Sequence, residues 1–270
     1  MKKWIAFFLT LVLLCTLLLT SCEVPPEVTV LRAYTRTATL SKYDAQMDMK
    51  VEVHIPDLQS RATVPVRVDI QAEDAMSKHP KLALTLYSGT TVSTLRADTT
   101  LYSDGKYLYI PNKYGNRGTK VSLEALEDEY EGMDEYDDLI SDLLTSLPRD
   151  ILNNSTIHSE DDRVTVHTAL SEEQLSELYG DIVEDVTESV GDGIELEGVS
   201  VTNAEIQVIV DDGYVQSQRL SFEISATIKQ GWRSYDMTMK STVSLSMKNP
   251  GAPVTVTFPE GYADYDLKEK

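Results

Sequence analysis

From Tyr43 onward apolar and polar residues take turns. Tyr43, Ala45, Met47, Met49, Val51, Val53 and Ile55 alternate with Asp44, Gln46, Asp48, Lys50, Glu52 and His54. A period of two puts each set on its own face of a strand, one apolar and one wet. Pro56 ends this strand. Ala62, Val64, Val66, Val68, Ile70 and Ala72 repeat the pattern, with Pro65 pointing to an edge or a bulge because it has no N–H for a ladder. Leu82, Leu84 and Leu86 follow, then Leu95, Ala97, Thr99 and Leu101. Ser103-Asp104-Gly105-Lys106 reads as a hairpin turn, since Asp and Gly tolerate positive φ, and Tyr107 to Ile110 as its return. About five strands in sequence, each with clean alternation, predict an antiparallel meander packed on one face.

Helical spacing brackets this region. Ahead of it, Val28, Leu31, Tyr34 and Ala38 fit a helix over 28–40 with Pro26 near its start, although four threonines count against it. Beyond it, Ser122 is placed to cap a short helix bearing Leu123, Leu126 and Tyr130. Leu139, Ile140, Leu143, Leu144 and Leu147 form the stripe of a second helix, stopped by Pro148. Arg163 to Thr168 reads as a strand. Ser171-Glu172-Glu173-Gln174 is a capping box opening a helix with Leu175, Leu178, Tyr179, Ile182, Val186 and Val190 on one face.

Strands then resume. Ile206, Val208 and Val210 lead into an Asp211-Asp212-Gly213 turn. Leu220 to Ile228 and Tyr235 to Met247 give two apolar rows, and Val254 to Phe258 reads as a last strand before a loose acidic tail. Helices grouped apart from the strands predict α+β: a large antiparallel sheet, long enough to curl, with helices covering its concave face.

The N-terminus changes the picture. Lys2 and Lys3 precede an almost wholly apolar run from Trp4 to Leu19, which ends in Leu19-Thr20-Ser21-Cys22. Positive, greasy and small residues in that order form a secretory leader, excluded from fold reasoning. The expected organisation is a leader over 1–21, a Pro-bearing tether over 22–27, one domain over 28–262 and a flexible tail over 263–270. Charge narrows the partners. Against 44 Asp and Glu stand 24 Lys and Arg, a net charge of −20 that deepens once Lys2 and Lys3 leave. No basic footprint for nucleic acid is visible, and an acidic surface is repelled by anionic headgroups.

Leu19-Thr20-Ser21-Cys22 resembles the lipobox of bacterial lipoproteins, which implies cleavage before Cys22 and a diacylglycerol thioether on it. Two or more acyl chains anchor a protein stably where one does not. The rest of the chain resembles the LolA/LolB/LppX superfamily of lipid and lipoprotein carriers, most of all its Gram-positive lipoproteins. The likeness rests on the lipobox, the Lys42-Tyr43-Asp44-Ala45-Gln46-Met47-Asp48-Met49 strand, the Tyr102-Ser103-Asp104-Gly105-Lys106-Tyr107 hairpin and the Ser234-Tyr235-Asp236-Met237-Thr238-Met239 strand. It implies an open half-barrel on the extracytoplasmic face of a membrane. It transfers no functional residue except Cys22.

Catalytic motifs are sparse. His54, His79, His158 and His167 have no metal-motif spacing, no GxSxG elbow occurs, and the glycines of 115–118 lack a phosphate-loop ending. Glu124 to Asp142 is densely acidic with no Lys or Arg; calcium would want such oxygens, but the spacing fits no EF-hand, and a solvated face is the plainer reading. Neither a cofactor nor an enzymatic activity is expected.

Methionine is the remaining signal. It recurs on apolar strand positions where β-branched residues usually pack, and it suits surfaces that accommodate variable partners. Either these residues fill a core beneath helices, or they line an adaptable cavity for a lipid or other hydrophobic ligand. The second reading takes Met47, Met49, Leu84, Leu86, Tyr235, Met237 and Met239 as the lining. The rival function is a structural or regulatory envelope protein working through protein contacts.

Overall fold

The computed structural model describes residues 25–89, 95–112, 117–127, 152, 154–171 and 195–268. Cys22 and the expected lipobox, the stripe from Leu139 to Leu147, the helix expected after Ser171 and the acidic stretch beyond Glu127 lie outside them.

Helix α1 spans Pro26–Ala38, with Pro26 in the first turn, where a missing N–H costs nothing. The threonines do not break it. Thr35 and Thr39 donate their hydroxyls to the carbonyls of Leu31 and Thr35, and Thr37 accepts the Val215 N–H. The buried face is Val30, Ala33 and Tyr34, rotated from the expected stripe.

Six strands follow in a meander: β1 (Lys42–Ile55), β2 (Ser60–Glu73), β3 (Lys81–Ser88), β4 (Arg96–Ser103), β5 (Tyr107–Pro111) and β6 (Gly118–Ser122). β6 is one strand more than the sequence pattern predicts. Helix α2 (Leu123–Glu127) comes directly after Ser122, as expected. The second set is β7 (Thr156–Glu160), β8 (Arg163–Ala169), β9 (Glu195–Asp211), β10 (Tyr214–Gln230), β11 (Arg233–Lys248) and β12 (Asp266–Leu267). All belong to one open sheet in the order β12-β6-β5-β4-β3-β2-β1-β11-β10-β9-β8-β7. Every pairing is antiparallel except β12 with β6, and the two sets join along β1 and β11 from Asp44↔Lys248 to His54↔Thr238. The fold class is the expected one, a large open antiparallel sheet with few helices.

Pro65 sits opposite Lys50 with no break in register, but the β3 ladder starts only at Val66. Of the two alternatives, it therefore occupies a local edge. β9 is much longer than its apolar alternation suggests. Two residues with positive φ, Gly198 and Asn203, sit where its register against β10 shifts, and each shift turns the side chains over. That scrambles the period of two ahead of Ile206.

Two expectations at the C-terminal end are corrected. Residues 254–258 form no strand. Val256 and Phe258 turn inward, yet the backbone is held by the Val256 N–H donating to Glu73 Oε1 at 2.7 Å rather than by a ladder. Alternation reports a buried face and not a pairing partner. Nor is the tail loose up to Lys268. β12 pairs with β6, Lys120 Nζ donates to the Ala263 carbonyl at 2.6 Å, and Tyr265 is buried. Tyr109 gathers Tyr107, Phe258, Tyr262 and Tyr265 around it, mostly edge to face. The turn beneath is tied by Asp104, which accepts the Lys106 and Tyr107 N–H groups and the Tyr109 hydroxyl at 2.6 Å.

The filled core lies at one side of the sheet, where Val30, Ala33 and Tyr34 of α1 meet Val164, Val166, Ile206, Val208, Val210, Val215 and Leu220, with Leu152 beside them.

Candidate ligand-binding face

Residues directly opposite one another in an antiparallel ladder project from the same face. The register therefore links Leu86, Val68, Met47, Leu245, Gln218, Val208, Val166 and Ile157 into one row across eight strands. The next row runs Val66, Met49, Val243, Leu220, Ile206 and Thr168. Burial changes along both. Val208 and Val166 are 0% and 1% exposed, whereas Leu86 is 38% and Met49 36% exposed. One apolar face thus has a half filled by α1 and a half, on β1–β4 and β11, that no described helix covers.

The step between the halves is polar. Gln218 is buried within its row, and Tyr34 of α1 donates its hydroxyl to Gln218 Oε1 at 2.9 Å. A buried amide needs such a partner, so this bond fixes where α1 stops. Along β1 and β2 a second gradient runs lengthwise. Ala45 and Ala72, near α1's C-terminal end, are 1% and 0% exposed, while Val64, toward the β1–β2 turn, is 52% exposed.

All seven residues expected to line a cavity lie on this one face. Met47 and Met49 are on β1; Leu84 (opposite Ile70) and Leu86 are on β3. Met239 lies between Val53 and Ile224, Met237 faces Ala226, and Tyr235 faces Ile228. They do not form a single cluster. The β1–β3 residues and the start of β11 occupy different stretches of the face, with Val51, Val53 and Ser241 between them. Tyr34 was read from the sequence as part of the helix stripe, but its bond to Gln218, 184 positions away, which sets the boundary, was not. In the sequence Gln216 and Gln218 stand just ahead of the apolar row that begins at Leu220, so nothing marked Gln218 as part of the face.

The opposite face is wet. Arg67 Nε meets Asp48 Oδ1 at 2.7 Å, and Lys248 Nζ lies 3.6 Å from Asp44 and 3.4 Å from Asp69. Partly exposed pairs add little stability. Their effect is on register, because a one-residue slip would carry these charges onto the apolar face. Burial raises the pKa of Tyr43, whose phenol lies beside Ala72 on the apolar side. His167 Nε2 lies 3.5 Å from Glu205 Oε2 in a half-exposed pair. Among the described residues no group of His, Cys, Asp or Glu is placed to hold a metal, and no helix is long and apolar enough to cross a membrane.

A family model described as "Family of unknown function (DUF6612)" matches residues 30–259. Among solved structures, the chain is similar to LprF from Mycobacterium bovis at 13% identity, covering 87% of this chain and 97% of that one, with a TM-score of 0.42. It is similar to the Mycobacterium tuberculosis lipoprotein LppX at 10% identity, covering 87% and 100%, with a TM-score of 0.35. A LolA superfamily protein from Nitrosomonas europaea follows at 8% identity, covering 83% and 94%, with a TM-score of 0.24. No curated protein matches the chain.

Proposed function

We propose, for a chain that belongs to the DUF6612 family of unknown function, the role of an envelope lipoprotein that binds a lipid or other hydrophobic ligand. Cys22 would hold it by acyl chains on the extracytoplasmic face of a membrane. The ligand would lie along the uncovered half of the apolar face, against Met47, Met49, Leu84 and Leu86, with Tyr235, Met237 and Met239 further along. The protein would act by binding and not by catalysis, as a fixed acceptor or holder.

One observation carries this reading. The same apolar row passes from fully buried at Val208 to more than a third exposed at Leu86, with no polar residue to mark it as surface except Gln218. An apolar patch of this kind marks a binding surface more often than ordinary exterior. Methionine suits it, because an unbranched thioether adapts to chains of different shape. Titration of the full chain with a fluorescent fatty acid tests the reading. Saturable binding is expected. Met49→Asp and Leu86→Asp should each weaken it roughly tenfold or more, because a carboxylate would have to be desolvated against the ligand. No saturable binding, or binding by both variants as tight as that of the unaltered chain, would sink the reading.

A further inference from the structure

The hairpin between β10 and β11 turns at Gly231 and Trp232, and the Trp232 side chain is 87% exposed. The Arg233 guanidinium lies 4.7 Å over the indole ring, and Arg233 Nη1 donates to the Tyr235 hydroxyl at 3.4 Å. In water a bare indole at the tip of a long hairpin gains nothing. At the headgroup level of a bilayer an amphipathic ring has its preferred place, and an arginine beside it keeps its charge in the polar layer.

Three further observations point the same way. β1 ends where His54 meets Thr238, so the Pro56–Leu58 turn lies at this same end of the sheet, with Leu58 52% exposed; it is also the end at which Val64 lies open. Charge differs there from the rest of the molecule. The hairpin tip, residues 229–234, holds Lys229 and Arg233 and no Asp or Glu, in a chain of net charge −20, with Lys229 paired to Glu197 of the neighbouring strand. Finally, α1 places Arg36 at Tyr214, Thr37 at Val215 and Tyr34 at Gln218. Followed back toward Pro26, the helix therefore heads away from the β9–β10 turn and toward the hairpin end, so the chain enters the domain from that direction.

We propose that this end is a membrane-touching tip. The Trp232 hairpin seats in the headgroup layer of a phospholipid bilayer and presents the open end of the apolar face to the lipid it takes up. The proposal rests on the hydrophobic-ligand reading above.

The chain has two tryptophans, so Trp4→Phe leaves Trp232 as the reporter. The full chain carrying that change, reconstituted in phosphatidylcholine vesicles with lipids brominated high on the acyl chain, should show blue-shifted emission, quenching by the bromolipid and weak quenching by aqueous iodide. Full access to iodide without bromolipid quenching would overturn the tip. So would iodide access that only an added envelope protein relieves. In the otherwise unaltered chain, Trp232→Ser should slow uptake of a fluorescent fatty acid from vesicles severalfold and leave the amount bound at equilibrium unchanged; an unchanged rate overturns the proposal. If neither protein binds the probe, the ligand reading fails, while bromolipid quenching still decides the tip.

Discussion

The Asp104 carboxylate does at one residue what the turn sequence promised in outline. Burial works against its ionised form, but the Tyr109 hydroxyl and the backbone N–H groups of Tyr107 and Lys106 outweigh that and hold its pKa below the ordinary aspartate value. Tyr109 shifts the other way, raised by burial and then by the Asp104 carboxylate beside it. A depressed folded pKa contributes stability that is fully present above the unfolded value, near 3.9, and is lost as pH falls through the carboxylate range. Asp104→Asn keeps a backbone acceptor but cannot offer Tyr109 a second carboxylate oxygen, and should cost roughly 1–2 kcal/mol at neutral pH. Urea unfolding at several pH values checks this. The gap between the two proteins should be constant from pH 6 to 8 and close below about pH 4. A gap that widened in acid would contradict the assignment.

At the scale of elements, the Tyr34–Gln218 bond decides where helix meets sheet. Tyr34→Phe leaves a buried acceptor without that donor and should destabilise by roughly 1–3 kcal/mol, read by thermal or denaturant unfolding. Combining it with Gln218→Leu should recover much of the loss, because removing both polar partners avoids the orphaned group. A double variant worse than the sum of its parts would show that the bond is not the relevant interaction. The same elements show what the sequence could and could not reveal. β1, β2, β3 and β10 were legible, because an apolar period of two runs through most of each, and the 103–106 turn because Asp104-Gly105 marks it. β9 was half hidden by two register shifts, β6 and β7 are short strands with little alternation to see, and 254–258 alternates without pairing. The seven candidate residues were found because they alternate. Their spread over two stretches was not, because the β1–β11 pairing that arranges them joins residues nearly two hundred positions apart.

For the whole molecule, the apolar face and the tether have separate tests. Cys22→Ala should move the protein from the membrane fraction to the soluble fraction, since the acyl chains on Cys22 are its proposed durable attachment. Retention in the membrane would contradict the lipobox reading and leave the face untouched. The central claim concerns the face: its open half is built to be covered by an apolar molecule that is not part of the chain. Native mass spectrometry of the full chain purified from its membrane, with organic extraction of the same sample, tests it most directly. The account predicts a hydrophobic adduct in stoichiometric amount, lost in the Met49→Asp, Leu86→Asp double variant, which still unfolds in one cooperative transition with its midpoint lowered by the loss of the ligand. A bare mass and an empty extract from folded protein would contradict it.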